Sequence, residues 1–163
     1  MNSKTVARHG LLVGLALVLS WAEAQIPAFF ALPGMKLGIT NLVVLAALYL
    51  FGAKNALLVN LLRIGLVALL FGNGAALAYS LAGGLLSWLA MVGLKATGRF
   101  GITAVSAVGG ICHNIGQLLV AMVLLGTGAL AWYLCLLWFS GLIGGLAIGW
   151  LGGVVCERIQ HHL

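Results

Sequence analysis

The chain has 163 residues, of which 63% are hydrophobic and 6% charged, with a formal net charge of +6 and a mean hydropathy of +1.20. So little polar surface excludes a soluble globule. At about 1.5 Å of rise per residue and about 30 Å of hydrocarbon, the length fits about six membrane helices and no soluble catalytic domain.

The first apolar segment, 9–25, follows Lys4 and Arg8. It has the outline of a signal peptide, but no clean cleavage site follows, so we read it as the first span of a single transmembrane domain covering 1–163. Ala16, Ser20 and Ala24 fall on one face of this helix, and Gly10 and Gly14 on another. Small faces let helix backbones approach where no hydrophobic drive exists between them, so either face suits internal packing or a partner subunit. Glu23 and Gln25 close the helix, and the longest connection follows, with Pro27, Pro33 and Lys36.

The second predicted span, 38–52, opens with Thr40 and Asn41, and the third, 55–72, carries Asn60 and Arg63. Tyr79 and Ser80 lie early in the fourth, 75–95. His113, Asn114 and Gln117 lie inside the fifth, 100–126. The sixth, 129–155, carries Gly141, Gly145, Gly149 and Gly153 at helical spacing, a face read as packing. The glycine pairs 83–84 and 109–110 read as kinks or close helix contacts. Six spans place both termini on one side. That side holds Lys4, Arg8, Lys54, Lys95, Arg99 and Arg158, against Lys36 alone on the other; the positive-inside rule then puts both termini in the cytoplasm.

This topology accounts for the positive charge, which forms no aromatic-basic patch of the kind that binds nucleic acid. Cys112, Cys135 and Cys156 form no CxxC and read as small apolar fillers. His161 and His162 read as a solvated tail rather than a metal site.

Arg63 is the costliest residue in the chain to place in hydrocarbon, and such a residue normally faces a cavity or a partner. It lies about nine residues past the turn at Lys54, roughly 14 Å into the membrane. Asn60 shares its helix face. His113 and Gln117 share a face of the fifth helix, with Asn114 beside them, and Gln117 lies roughly 13 Å from the opposite surface, so the two clusters meet in depth. Glu23, Lys36, Asn41 and Tyr79 lie nearer the outer side. Together these residues describe a polar funnel that suits an anionic or strongly hydrogen-bonding ligand. The competing reading is structural: Arg63 pairs with Glu23, and the amides and His113 join helices.

The runs Pro33-Gly34-Met35-Lys36-Leu37-Gly38-Ile39-Thr40-Asn41, Ala47-Leu48-Tyr49-Leu50-Phe51-Gly52, Leu61-Leu62-Arg63, Tyr79-Ser80-Leu81-Ala82-Gly83-Gly84 and His113-Asn114-Ile115-Gly116-Gln117 resemble the Gx transporter family. That family is also labelled heptaprenyl diphosphate synthase component I, and the resemblance runs from about residue 8 to 155. It implies likeness to the substrate-binding S components of energy-coupling factor (ECF) transporters, which are six-helix membrane bundles with cytoplasmic termini. Such a protein sits in the cytoplasmic membrane of a prokaryote, binds a micronutrient in an outward-facing pocket and works with a transmembrane T component and ATPase subunits. Their Ala-x-x-x-Ala docking pattern has its nearest counterpart in Ala16, Ser20 and Ala24. The resemblance thus implies a pocket floor of Arg63, His113, Asn114 and Gln117, a mouth of Lys36, Asn41 and Tyr79, and a gate in the connection from Gln25 to Met35.

The family label raises an alternative: a membrane subunit of isoprenoid or quinone metabolism. Prenyl diphosphate catalysis uses magnesium on carboxylate oxygens. The chain has no aspartate, and its two glutamates, Glu23 and Glu157, lie at opposite ends. We expect no enzymatic activity, no cofactor and no metal site.

Overall fold

The computed structural model describes residues 3–25, 38–71 and 74–161. The described residues form six α-helices: α1 (Ser3–Gln25), α2 (Asn41–Phe51), α3 (Ala53–Phe71), α4 (Gly74–Ala96), α5 (Ile102–Leu125) and α6 (Tyr133–Gln160), with a short 3-10 helix, Gly128–Trp132, before the last. Five of these segments are long and apolar enough to cross a membrane, the pattern of a multi-pass membrane protein. The exception is α2, whose 11 residues cover only about 16 Å.

Glycines set the limits of α2. Gly38 (φ 72°) and Gly52 (φ 88°) lie at its two ends with positive φ. At Gly52, ψ is 174°, a combination open essentially to glycine alone. The expected span 38–52 is therefore a shorter helix, and α3 starts at once after Gly52.

Although short, α2 forms the centre of the bundle. Val43 to Leu48 are all buried, and α1, α3 and α6 pack around it. Carbonyls on either side of the α2–α3 junction are held from the side: Lys95 donates from Nζ to the Leu48 carbonyl of α2 at 2.6 Å, and Trp88 donates to that of Ala53 at the start of α3 at 3.1 Å. These contacts bring the end of α4 to the α2–α3 junction. At the same end of the bundle, His9 Nε2 bonds Asn55 Oδ1 at 3.0 Å, joining the starts of α1 and α3.

Helices α4, α5 and α6 pack backbone to backbone. A methyl group on Gly141 would lie 2.7 Å from the Gly110 carbonyl oxygen, and one on Gly145 or Gly149 would lie 2.6 Å from the Cα of Ala107 or Thr103. Such distances are available only to glycine, and they bear out the packing role of the α6 face. Gly153 is the exception, touching only a side-chain methyl of Ile102. By contrast, α1 is mostly exposed. Gly10 and Gly14 have open space where a Cβ would be, whereas Ala16 is fully buried.

Candidate functional site

A cavity of about 140 Å³ opens at the end of the bundle away from the chain termini, lined by five helices or their ends. α3 supplies Arg63 and α5 supplies His113 and Gln117, while Ser20 and Glu23 come from the end of α1. Gly38, Thr40 and Asn41 at the start of α2, and Ala76 and Ser80 on α4, complete its polar rim and walls. Ile64, Val67 and Ala68 make the apolar side. Depth counting from the sequence thus placed Arg63, His113 and Gln117 correctly against one another.

Arg63 is held from its own helix. Its Nη2 donates to Asn60 Oδ1 at 2.8 Å, and Asn60 Nδ2 donates in turn to the Gly84 carbonyl on α4 at 3.1 Å. Asn60 is 1% exposed, so it does not line the cavity and instead fixes the arginine. The buried Nε of Arg63 has no hydrogen-bond partner.

Glu23 is held separately. One carboxylate oxygen accepts the Gly38 backbone N–H at 2.5 Å, and the other accepts the Thr40 hydroxyl at 3.1 Å. Ser20 and Thr40 hydroxyls also meet at 3.1 Å. Glu23 therefore clamps the end of α1 to the start of α2, and among the described residues it makes no ion pair with Arg63. The structural pairing considered from the sequence is not formed.

The tandem glycines of α4 seat both polar arms. A methyl on Gly83 would fall 2.8 Å from the His113 carbonyl oxygen and 3.0 Å from Gln117 Cγ, and one on Gly84 would fall 3.0 Å from Asn60 Nδ2. Gly83 thus lets α5 approach, and Gly84 lets α3 approach. The sequence reading of this pair as a close helix contact holds, but its place beneath the site was not evident.

Besides Asn60, expected on the lining and found behind it, three further expectations differ. Asn114 is buried and donates from Nδ2 to the Leu137 carbonyl at 2.8 Å; lying about 100° round the helix from His113, it binds α5 to α6 and not the cavity floor. Tyr79 is half-buried and does not line the cavity, whereas the adjacent Ser80 does. The face of Ala16 and Ser20, expected to dock a partner, turns inward: Ala16 belongs to the core and Ser20 to the cavity. Small side chains here admit α2 and α3 instead of another subunit. Lys36 and the gate expected between Gln25 and Met35 lie outside the described residues, apart from the helical backbone of Gln25, and the Ala24 side chain is likewise outside them.

The described lining holds one carboxylate, Glu23, and the cation Arg63, a donor set poorer in carboxylate oxygens than the sites that hold a magnesium-bound diphosphate. Neither the curated proteins nor the solved structures gave a match. Residues 12–155, however, match the family model described as heptaprenyl diphosphate synthase component I, in agreement with the motifs in Pro33–Asn41, Tyr79–Gly84 and His113–Gln117. The chain belongs to the heptaprenyl diphosphate synthase component I family.

Proposed function

We propose that this protein is the ligand-binding membrane subunit of an ECF-type micronutrient uptake system, capturing a small polar or anionic molecule in the Arg63 cavity. The observation that carries the reading is Arg63 itself: a guanidinium held by a neutral amide at a cavity shared with His113, Gln117 and Ser80. A charge placed at such cost, with no counter-ion in contact among the described residues, is suited to receiving one from a ligand. The basic residues at the termini end, including Arg8, Lys54, Arg99 and Arg158, favour a cytoplasmic side there, with the cavity facing outward. A T component and ATPase subunits are the proposed partners, and the chain is proposed to be non-catalytic.

Native mass spectrometry of the protein purified from its membrane tests this directly. A small molecule bound to the wild type and to Cys135→Ala, but lost from a folded Arg63→Ala variant, is the expected result. Binding retained by Arg63→Ala would remove the pocket assignment.

The family description supports a second reading, a membrane partner of a prenyl diphosphate synthase. Co-purification separates the two. A T component and ATPases favour uptake, and a soluble prenyl synthase favours isoprenoid metabolism.

A further inference from the structure

Two opposite charges line the cavity, and each is hydrogen-bonded to neutral groups. Arg63 is fastened to Asn60, itself anchored on the Gly84 carbonyl. Glu23 is fastened to the Gly38 N–H and the Thr40 hydroxyl. Neither clamp carries a formal charge, so the two ionic groups face one cavity with no charged partner in contact among the described residues. Among the described residues His113 is the other titratable group on the lining; with its imidazole neutral, the formal charges of these described lining residues sum to zero.

Charge arithmetic then selects among ligands. A diphosphate would bring two or more negative charges against one arginine and beside a carboxylate, in a medium where unpaired charge is expensive. A simple monoanion would satisfy Arg63 but leave Glu23 uncompensated. A ligand with an anionic group at one end and a cationic group at the other would pair both and leave the site neutral. Glu23 has the capacity for this, because an ionised carboxylate has about four lone-pair sites and only two are used.

Size limits the ligand too. The cavity, about 140 Å³, is close to the ~150 Å³ engineered cavity that takes benzene. A long prenyl chain does not fit inside it.

We propose that the ligand is a small dipolar molecule whose anionic group meets Arg63 and whose cationic group meets Glu23. The inference rests on the reading of this cavity as a binding site and adds the charge pattern of what it binds. Glu23, so far only a clamp on α2, becomes the residue that distinguishes a dipolar ligand from an anion.

The test uses the full chain in nanodiscs of uncharged-headgroup lipid, with calorimetric titration of glycine, β-alanine, γ-aminobutyrate and δ-aminovalerate. Each is compared with the fatty acid and the alkylamine of the same chain length. At least one amino acid should bind about tenfold or more tightly than both its matched acid and its matched amine. Glu23→Gln should abolish the advantage over the acid, and Arg63→Met should abolish binding of both. If Glu23→Gln does not fold, the wild-type comparison decides alone. Acids that bind as tightly as the amino acids, with loss in Arg63→Met, overturn the dipolar inference and leave the anion-binding cavity standing. No binding of any probe at about 10 mM, a level at which even very weak ligands register, overturns the inference. Binding that survives Arg63→Met overturns the cavity assignment with it.

Discussion

Asn60 has no access to the cavity, yet it sets the geometry of the residue that does. Its amide joins Arg63 to the Gly84 carbonyl, so Asn60→Leu leaves a buried guanidinium N–H without its partner and removes the tie between α3 and α4. We expect a loss of about 1–3 kcal/mol in unfolding free energy, measured by reversible unfolding in mixed micelles, together with weaker ligand binding. Gly52 gives a contrasting case, in which the backbone and not a side chain is at stake. With φ 88° and ψ 174°, Gly52→Ala should cost about 1–3 kcal/mol in the same assay, although its site has open space for a methyl group. The residues legible in the sequence were those whose cost demanded an explanation. Arg63, His113 and Gln117 could be brought together by helical rise alone, because depth is fixed once the turns are located. Asn114 could not be assigned, since adjacency to His113 says nothing of which neighbouring helix its face meets. Thr40 and Ser80 were visible only as polar residues near the rim.

Among the helices, spacing identified small faces but not their partners. The α6 glycines and the Ala16–Ser20 face of α1 share one signature, yet the first meets α5 backbone to backbone and the second encloses α2 and the cavity. Which neighbour a small face meets depends on the whole bundle. The difference between a tight and an open glycine is measurable. Gly141→Ala would place a methyl 2.7 Å from the Gly110 oxygen and 2.9 Å from Ile111 Cα; backbone cannot yield as a side chain does, and a loss of about 1–3 kcal/mol is expected. Gly93 has nothing within 4 Å of a built Cβ, so Gly93→Ala should leave unfolding unchanged or raise stability by up to about 1 kcal/mol. Equal effects of the two substitutions would contradict the assigned α5–α6 contact. The short α2 was the main departure in the fold: its apolar run was plain in the sequence, but the backbone conformations at Gly38 and Gly52 that shorten it were not.

Taken whole, the bundle joins a closely packed set, α4 to α6, to a set in which α1 lies largely exposed. The cavity draws residues from both, since Glu23 and Ser20 come from α1 while Ser80, His113 and Gln117 come from α4 and α5. The length of α2 has an electrical consequence. Its 11 residues cover only about 16 Å of a hydrocarbon layer about 30 Å thick. Water admitted as far as its first residues would concentrate most of the membrane voltage across that remaining length. A charge moving through it does work of about 2.3 kcal/mol per 100 mV. A ligand whose charges cancel does none, so uptake of a dipolar molecule past α2 should proceed at a rate independent of membrane potential, whereas an anion entering a negative interior would be opposed by it.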